Sequence, residues 1–441
     1  MKKNMFFLIA VVLSGSMVAC SSSEEEVDLG EAKTVVNMLS EPQPIRLTEE
    51  QRVFACDNND FTLGFLKTVN EADKSGKSFI YSPLSITYVL GMVNAAATGQ
   101  TEQELEQTLG FHEGGIQAVN DYCKKLIDGL PKVDNKVTLN IANALFVNKE
   151  KATLKAQYQQ DMQQFYDAKA ENLDFSSPAA LSTINGWAND HTNGMIPKIL
   201  ETVDPDVVTY LLNAIYFKAD WASKFDSKNT KTEEFKSENH EKSLKEVPLM
   251  HQKVLISYLK TDTYSAVIIP YGSGLWNMTV LLPENGKTTD DVIKEVAESS
   301  VLNNRGWCGT GMNTFQAYEV DLKLPRFETN SDTDELGQNG LIDLMKKMGI
   351  NLAFDPEFAE IPNMCEKGGV YISMMRQKAA IKVNEEGSEA AAVTIAGANY
   401  ATALTPTEYP KATFHANRPF VYVISEASSG VILFVGKFTG K

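Results

Sequence analysis

The stretch Val383–Gly397, which reads VNEEGSEAAAVTIAG, restricts the possible folds more than any other part of the chain. In an extended backbone, alternate side chains lie on opposite faces. One face would carry Ser388, Ala390, Ala392 and Thr394, and the other Glu389, Ala391, Val393 and Ile395. The first face is uniformly small, so this strand could enter between two existing strands without overpacking the core. About a dozen new hydrogen bonds of roughly 0.5–1.5 kcal/mol each would drive that entry. The stretch therefore predicts a loop that can become a buried strand, with Gly387 as its hinge.

An ordinary helix or surface loop is the competing interpretation of the same residues. The run from Ser388 to Ala392 also resembles the start of an alanine-rich helix. Alanine runs are more often helical, so the stretch by itself favours the helix. The rest of the chain has to decide.

The first 26 residues have the layout of an export signal followed by a lipid attachment site. Lys2 and Lys3 precede a short apolar run, which is shorter than the roughly 20 residues that a membrane-spanning helix needs. The segment Met17–Cys20 resembles a bacterial lipobox, which implies cleavage before Cys20 and acylation of that cysteine. The acidic tract after Cys20 resembles the surface-export signal of lipoproteins in Bacteroidetes-type bacteria. We expect a signal peptide at 1–19, an acidic flexible tether at 20–47 and a lipid anchor in the outer membrane. A surface-exposed or extracellular position is favoured, with a periplasmic one as the alternative.

The remaining residues, 48–441, have the composition of one globular domain. Of the 441 residues, 43% are hydrophobic and 22% charged, and no internal repeat or linker divides them. The formal net charge of −16 argues against nucleic acid as a partner. The wide, irregular spacing of the other cysteines makes a zinc site an unfavourable interpretation and leaves disulfides undetermined. These cysteines are Cys56, Cys123, Cys308 and Cys365.

Hydrophobic periodicity predicts helices early in the chain and strands later. The predicted helices are 53–69, 85–97 and 101–109. The predicted strands are 138–147, 208–217, 254–259, 266–270, 278–282, 319–324, 421–424 and 431–434. Because helices and strands come in separate runs, we expect an α+β domain with mostly antiparallel sheets.

The sequence offers no clear centre for catalysis. Ser75–Ser78 ends like a phosphate-binding loop, but Glu71 stands where its first glycine is required. The five histidines include no HExxH motif, and no GxSxG motif is present. We therefore expect no enzyme activity, no metal and no cofactor.

Several motifs in one order along the chain resemble the serpin family of protease inhibitors. These motifs are SFIYSPLS at Ser78–Ser85, LLNAIYFKADW at Leu211–Trp221, VDLKLPRF at Val320–Phe327 and FHANRPF at Phe414–Phe420. The resemblance covers nearly the whole mature chain. It implies a monomer with the serpin-like fold: three mostly antiparallel β-sheets, eight or nine helices and an exposed reactive-centre loop at about 385–412.

The opening stretch then resembles the serpin hinge in the form typical of inhibitors. Its residues are Glu385, Glu386, Gly387, Ser388, Glu389, Ala390, Ala391 and Ala392. The resemblance implies suicide inhibition, in which a protease cuts the loop and is trapped as an acyl-enzyme when the cut loop inserts into the central sheet. A non-inhibitory serpin that acts as a binding or chaperone protein is the main alternative, and charged or bulky hinge residues, which it would favour, are absent. A hydrolytic or glycan-binding surface lipoprotein is a third, for which the sequence offers no site.

The family pattern places the scissile bond at Ala401–Thr402, with cleavage after Tyr400 or Leu404 as alternatives. Ala401 suits elastase-like proteases and Tyr400 suits chymotrypsin-like ones. Subtilisin-like and papain-like proteases are further candidate partners. No Lys or Arg lies between Glu386 and Thr407, which argues against trypsin-like targets.

The resemblance also implies residues that control insertion. Glu385 and Arg326 match an ion pair at the top of the main sheet, and Trp221 matches a tryptophan beneath it. Two unrelated surface charges are the alternative for the pair. The polar cluster where strands part is matched by Ser82, Ser85, Asn213 and Gln377. Because the amide of Gln377 does not titrate, we expect no pH gating there.

Overall fold

The computed structural model describes residues 42–236, 243–298, 315–337, 339–367, 369–388 and 408–441. Pro42–Lys441 form one compact unit. This unit begins before the predicted boundary at 48, because Ile45 and Leu47 are buried in the core. The amide of Ile45 also donates a hydrogen bond of 2.8 Å to Ser428 Oγ. The predicted tether therefore extends too far at its C-terminal end.

Eight α-helices lie in the described part of the chain. The first begins after Thr48, whose side chain forms a capping box with Gln51. Thr101 was expected near a helix start, but it lies inside α3, whose N-cap is Thr98. The helices are α1 Glu49–Ala72, α2 Pro83–Asn94, α3 Gly99–Leu109, α4 Gly115–Gly129, α5 Ala156–Tyr166, α6 Pro178–His191, α7 Thr289–Glu298 and α8 Leu341–Met348.

Fifteen strands lie in the same described part and form two hydrogen-bonded sheets. In chain order the strands are β1 Phe79–Tyr81, β2 Val137–Asn148, β3 Lys169–Leu173, β4 Thr209–Asp220, β5 Lys231–Lys236, β6 Ser243–Lys260, β7 Tyr264–Tyr271, β8 Trp276–Pro283, β9 Gln316–Pro325, β10 Phe327–Asp332, β11 Met374–Val383, β12 Gly387–Ser388, β13 Lys411–His415, β14 Phe420–Glu426 and β15 Ile432–Phe438.

The two sheets correct the expectation of three. The larger sheet has nine strands in the order β1-β15-β14-β8-β7-β6-β9-β13, with β5 paired to β6. The strand β6 is 18 residues long and pairs with β5, β7 and β9 along its length. Because one strand continues from one group of strands into the next, the hydrogen bonding joins what would otherwise be separate sheets. The six-stranded sheet has the order β10-β11-β12-β4-β2-β3.

Both faces of the six-stranded sheet are covered. Along β4, Leu211, Ile215 and Phe217 belong to the main core, which this sheet shares with the larger sheet and the early helices. The alternate residues Tyr210, Leu212 and Ala214 belong to a second cluster with Ile184 and Trp187 of α6. The helix α6 therefore packs on the outer face, and a strand added to this sheet would be buried on both sides.

The strand β11 was not predicted, because four of its ten residues are Arg, Gln or Lys and interrupt its apolar pattern. Arg376, its third residue, is only 8% exposed. Its guanidinium forms ion pairs with Asp332 of β10 at 2.5 Å and with Asp334 at 2.8 Å. Because the charge is paired, it can lie in a buried strand.

The described residues also bear on disulfides and on membrane-spanning helices. Cys123 and Cys365 are buried without a disulfide, and burial raises the pKa of the Cys123 thiol to about 12. No helix within the described ranges has the length and apolar character to cross a membrane.

Candidate functional site at the opening of the six-stranded sheet

A tight turn at Asn384–Gly387 leads from β11 into the loop. The Asn384 side-chain oxygen accepts hydrogen bonds from the amides of Glu386 and Gly387 at 3.0 and 3.2 Å. Gly387 has a φ of +150°, and a Cβ at this position would lie 2.1 Å from the carbonyl oxygen of Ala219. The turn therefore requires glycine at 387, both for its backbone angle and for its close approach to β4.

The strand β12 lies between β4 and β11 where these two strands separate. Lower in the sheet, β4 and β11 pair directly in parallel, over Tyr210–Ala214 and Met374–Lys378. At the top, Ser388 is opposite Val383 of β11 on one side and Ala219 of β4 on the other, and both pairings are antiparallel. Gly387 and Ser388, the two residues of β12, thus already occupy the position of a new central strand.

Ser388 points into the core. It is 1% exposed, and its hydroxyl lies 2.9 Å from the hydroxyl of Tyr271. The ring of Tyr271 stacks on Trp221, with centroids 4.3 Å apart and planes 8° from parallel. The Trp221 indole in turn donates a hydrogen bond of 2.9 Å to the carbonyl oxygen of Asn384. The hinge is therefore held from below by a stacked aromatic pair.

Glu385 is enclosed at the top of the sheet. Arg326 donates two hydrogen bonds to its carboxylate, from Nε at 3.1 Å and from Nη2 at 2.5 Å, and Thr230 Oγ1 donates a third at 2.6 Å. Burial opposes ionisation of Glu385, but these hydrogen bonds outweigh it and lower its pKa. The Glu385 side chain is 10% exposed. The structure thus brings these two residues into a specific contact.

Glu386 is held by a cation that sequence reasoning missed. Lys224 Nζ lies 2.7 Å from a carboxylate oxygen of Glu386 and 3.0 Å from one of Asp220. The Glu386 carbonyl oxygen also accepts a hydrogen bond of 2.8 Å from the Trp221 amide. Burial disfavours the Lys224 ammonium, but the two carboxylates raise its pKa. The spacing of Asp220 and Lys224 in the sequence was the available signal.

The predicted polar cluster lies at the lower limit of the opening. Gln377 of β11 is opposite Asn213 of β4 in the register, and their amides are 3.4 Å apart. Gln377 also donates to the Ser82 carbonyl and accepts from the Ser82 amide, both at 2.9 Å. Ser82 Oγ donates to Ser85 Oγ at 3.1 Å and to the Leu433 carbonyl at 2.7 Å. The four residues form one buried network that joins the start of α2 to both central strands.

The other predicted positions lie outside the described residues. They are Cys20, Glu389, Ala390, Ala391, Ala392, Tyr400, Ala401, Thr402 and Leu404. The described chain resumes at Glu408 and enters β13, an edge strand of the nine-stranded sheet. The segment 389–407 therefore connects the middle of one sheet to the edge of the other.

No metal centre is found among the residues that the structure describes, because no three of their His, Cys, Asp or Glu side chains are grouped to hold an ion. The site consists of an opening between strands, a hinge and hydrogen-bonded anchors. Such a site can accept an extended peptide segment as a new strand.

The fold agrees with the comparisons to known proteins. Residues 57–440 match the family described as "Serpin (serine protease inhibitor)". The rat protein "Leukocyte elastase inhibitor A" is 31% identical over 390 residues, which cover 86% of this chain and 97% of that protein. "Serpin B6" of Macaca fascicularis is 29% identical and covers 88% of this chain and 99% of its own length. The crystal structure of Serpin48 from the insect Tenebrio molitor superposes with a TM-score of 0.74 at 25% identity, covering 89% of this chain and 99% of that one.

This protein belongs to the serpin family. The serpin resemblance read from the sequence motifs is thereby confirmed.

Proposed function

We propose that this protein is a suicide inhibitor of serine endopeptidases, with papain-like cysteine endopeptidases as a second target class. The observation that carries the proposal is the position of Ser388, buried between β4 and β11 with its side chain facing the core. A protease would attack the loop and form an acyl-enzyme. Insertion of the cut loop as a central strand would then displace the attached protease and disrupt the active-site geometry that it needs for deacylation.

The register of β12 supports this proposal when it is continued down the opening. Ala390 and Ala392 would face the main core, and Thr394 would reach the level of Asn213. Val393 and Ile395 would point outward, at the level of Ala214 and Leu212, under α6. Small side chains would thus face the filled core, and apolar ones would enter the second cluster, so that insertion would overpack neither side.

We further propose that the targets are elastase-like or chymotrypsin-like proteases. The candidate bait residues Tyr400 and Ala401 suit an aromatic and a small specificity pocket respectively. The name of the rat relative, an elastase inhibitor, supports the first class. Subtilisin-like and papain-like proteases are the other two candidate target classes.

The decisive experiment mixes the mature chain, from residue 20 but without lipid, with one protease of each class. We expect a denaturant-resistant covalent complex with at least one of them, and a released C-terminal fragment that begins at Thr402. A fragment that begins at Ala401 or Thr405 would identify the bond after Tyr400 or Leu404 instead. Cleavage by every protease without any complex would contradict inhibition and favour the non-inhibitory alternative, a binding or chaperone serpin.

We also propose that the mature protein is attached to the outer membrane through lipid on Cys20 and faces the exterior. Growth with radioactive palmitate should label the protein, and Cys20→Ala should abolish the labelling and release the chain from the membrane fraction. A protease added to intact cells should degrade the surface-exposed protein. Protection until the outer membrane is opened would identify the periplasmic orientation.

A further inference from the structure

The ammonium of Lys224 bridges two carboxylates that belong to the two sides of one strand pair. Asp220 is the last residue of β4 and is opposite Gly387 of β12. Glu386 directly precedes β12, and its carbonyl oxygen is bonded to the Trp221 amide. Lys224 therefore ties the end of β4 to the start of β12 at the first point where the two strands meet.

Register is a real difficulty for the strand that would insert below Ser388. A shift by one residue would turn every side chain to the opposite face, and would direct Glu389, Val393 and Ile395 into the main core. A shift by two residues would leave each side chain on the same face of the sheet but would place it opposite a partner residue two positions further along the neighbouring strand. Since several of the following residues are alanines, their side chains discriminate poorly between such shifts. The register must therefore be set where the strand enters.

Among the charged contacts of the hinge, that of Glu385 does not set this register. Glu385 is bonded to Arg326, which lies between β9 and β10, and to Thr230, which precedes β5. Neither partner lies on β4, so this contact fixes the turn without aligning β12 with β4. The Lys224 bridge acts on that alignment directly. Its side chain is 24% exposed, so solvent screens it only in part.

We propose that Lys224 is a positioning residue that sets the register of the inserting strand, which it does by bridging Glu386 and Asp220. The inference rests on the proposed function, since it assigns a role to a residue within the same insertion mechanism.

Register can be read by disulfide trapping in the loop-cleaved protein. Continued from Ser388 and Val383, the proposed register places Ala391 opposite Ala380, whereas a shift of two residues places it opposite Lys382. The two reporter pairs are Ala380→Cys with Ala391→Cys, and Lys382→Cys with Ala391→Cys. Each is combined with Lys224→Met, which removes the charge but keeps the length of the side chain. Lys228→Met is the matched control, because Lys228 is an exposed lysine of the same connection.

With Lys224 present or with Lys228→Met, we expect only the 380–391 disulfide. With Lys224→Met we expect both disulfides, faster hydrogen exchange at the Trp221 amide before cleavage, and about two- to fivefold more inhibitor consumed per protease trapped. The charge-exchanged variant Lys224→Glu with Glu386→Lys should restore the single disulfide. A single 380–391 disulfide with Lys224→Met would overturn the proposal.

The outcomes also separate this inference from the proposed function. In one outcome, the reporter protein that retains Lys224 forms the 380–391 disulfide after cleavage while the parent protein forms no covalent protease complex. That result would contradict the proposed inhibition, and the disulfides of the Lys224→Met variant would still test the role of Lys224. If the cleaved parent forms neither disulfide, the loop does not insert, and both proposals fall.

Discussion

At the scale of single residues, the opening of the sheet depends on the size of each buried side chain and on whether its polar groups have hydrogen-bond partners. Ser388 is small, and its side-chain hydroxyl has the Tyr271 hydroxyl as a hydrogen-bond partner. Glu385 is charged, but it receives three hydrogen bonds. Both solutions obey the rule that buried polar groups need partners. A residue at 388 that is too large or unpaired would therefore block the opening.

We predict that Ser388→Arg converts the protein from an inhibitor into a substrate. An arginine at this position would have to enter the core without a partner, at a cost of several kcal/mol. Gel electrophoresis should show cleaved chain in place of the covalent protease complex. Ser388→Ala, which stays small, should still form the complex. Unchanged complex formation by Ser388→Arg would contradict the inward assignment.

We predict that the native state loses stability in acid through Glu385 and Asp332. The pKa of each is lowered despite burial, by Arg326 and Thr230 for Glu385 and by Arg376 for Asp332. A carboxylate with a lowered pKa stabilises the fold above its unfolded pKa of about 4, and this contribution is lost as the pH falls through the folded value. Urea midpoints measured from pH 7 to pH 3 should fall below about pH 4.5. Glu385→Gln should be less stable at pH 7 and less sensitive to acid, and an equal acid sensitivity would exclude Glu385 as a contributor.

At the scale of elements, the turn Asn384–Gly387 decides whether β12 can pair at all. The glycine backbone approaches β4 so closely that no side chain fits. This turn converts the upward direction of β11 into the downward direction of β12. These four residues therefore determine the direction in which a longer β12 would continue between β4 and β11.

We predict that Gly387→Ala displaces β12 from the sheet. The φ of +150° and the clash with Ala219 should together destabilise this pairing by about 1–3 kcal/mol. Hydrogen exchange at the Trp221 amide should accelerate, and the yield of protease complex should fall. Gly286→Ala is the matched control, because Gly286 also has a positive φ, of +80°, but has open space around its Cβ position. If both variants behave alike, the close approach to β4 is unimportant.

At the scale of the whole molecule, the segment 389–407 joins the centre of the six-stranded sheet to β13 at the edge of the nine-stranded one. While this segment is intact, its C-terminal end stays attached to β13, which pairs in parallel with β9 over five residues. A cut would release this constraint. Under the proposed function, the intact fold would be a state held back by its own connectivity, and cleavage would let it relax.

We predict that the loop-cleaved protein is much more stable than the intact one. About a dozen added hydrogen bonds at roughly 1 kcal/mol each should raise the melting temperature by about 10 °C or more. Calorimetry of the intact and the cleaved chain measures the difference. Ser388→Arg, cleaved in the same way, is the control that should show little gain. Equal melting temperatures of the intact and cleaved parent would contradict insertion.

The sequence by itself determined the family and the strands with long apolar runs, and it predicted the hinge. Long apolar runs such as those of β2, β4, β8 and β15 are predictable because burial on both faces requires continuous hydrophobic residues. The alternation of small residues after Gly387 was equally predictable from the sequence, because it depends only on the two-residue period of a strand.

Only the tertiary structure decided how these elements meet. The strand β11 contains four polar or charged residues, and Arg376 among them can be buried because it forms ion pairs with Asp332 and Asp334, which come from another part of the chain. The merging of the expected sheets follows from the length of β6, and the place of Lys224 follows from the alignment of β4 with β12. Local patterns reveal what one segment prefers, whereas charge pairing, sheet continuity and register depend on residues distant in sequence, so these features required the folded molecule.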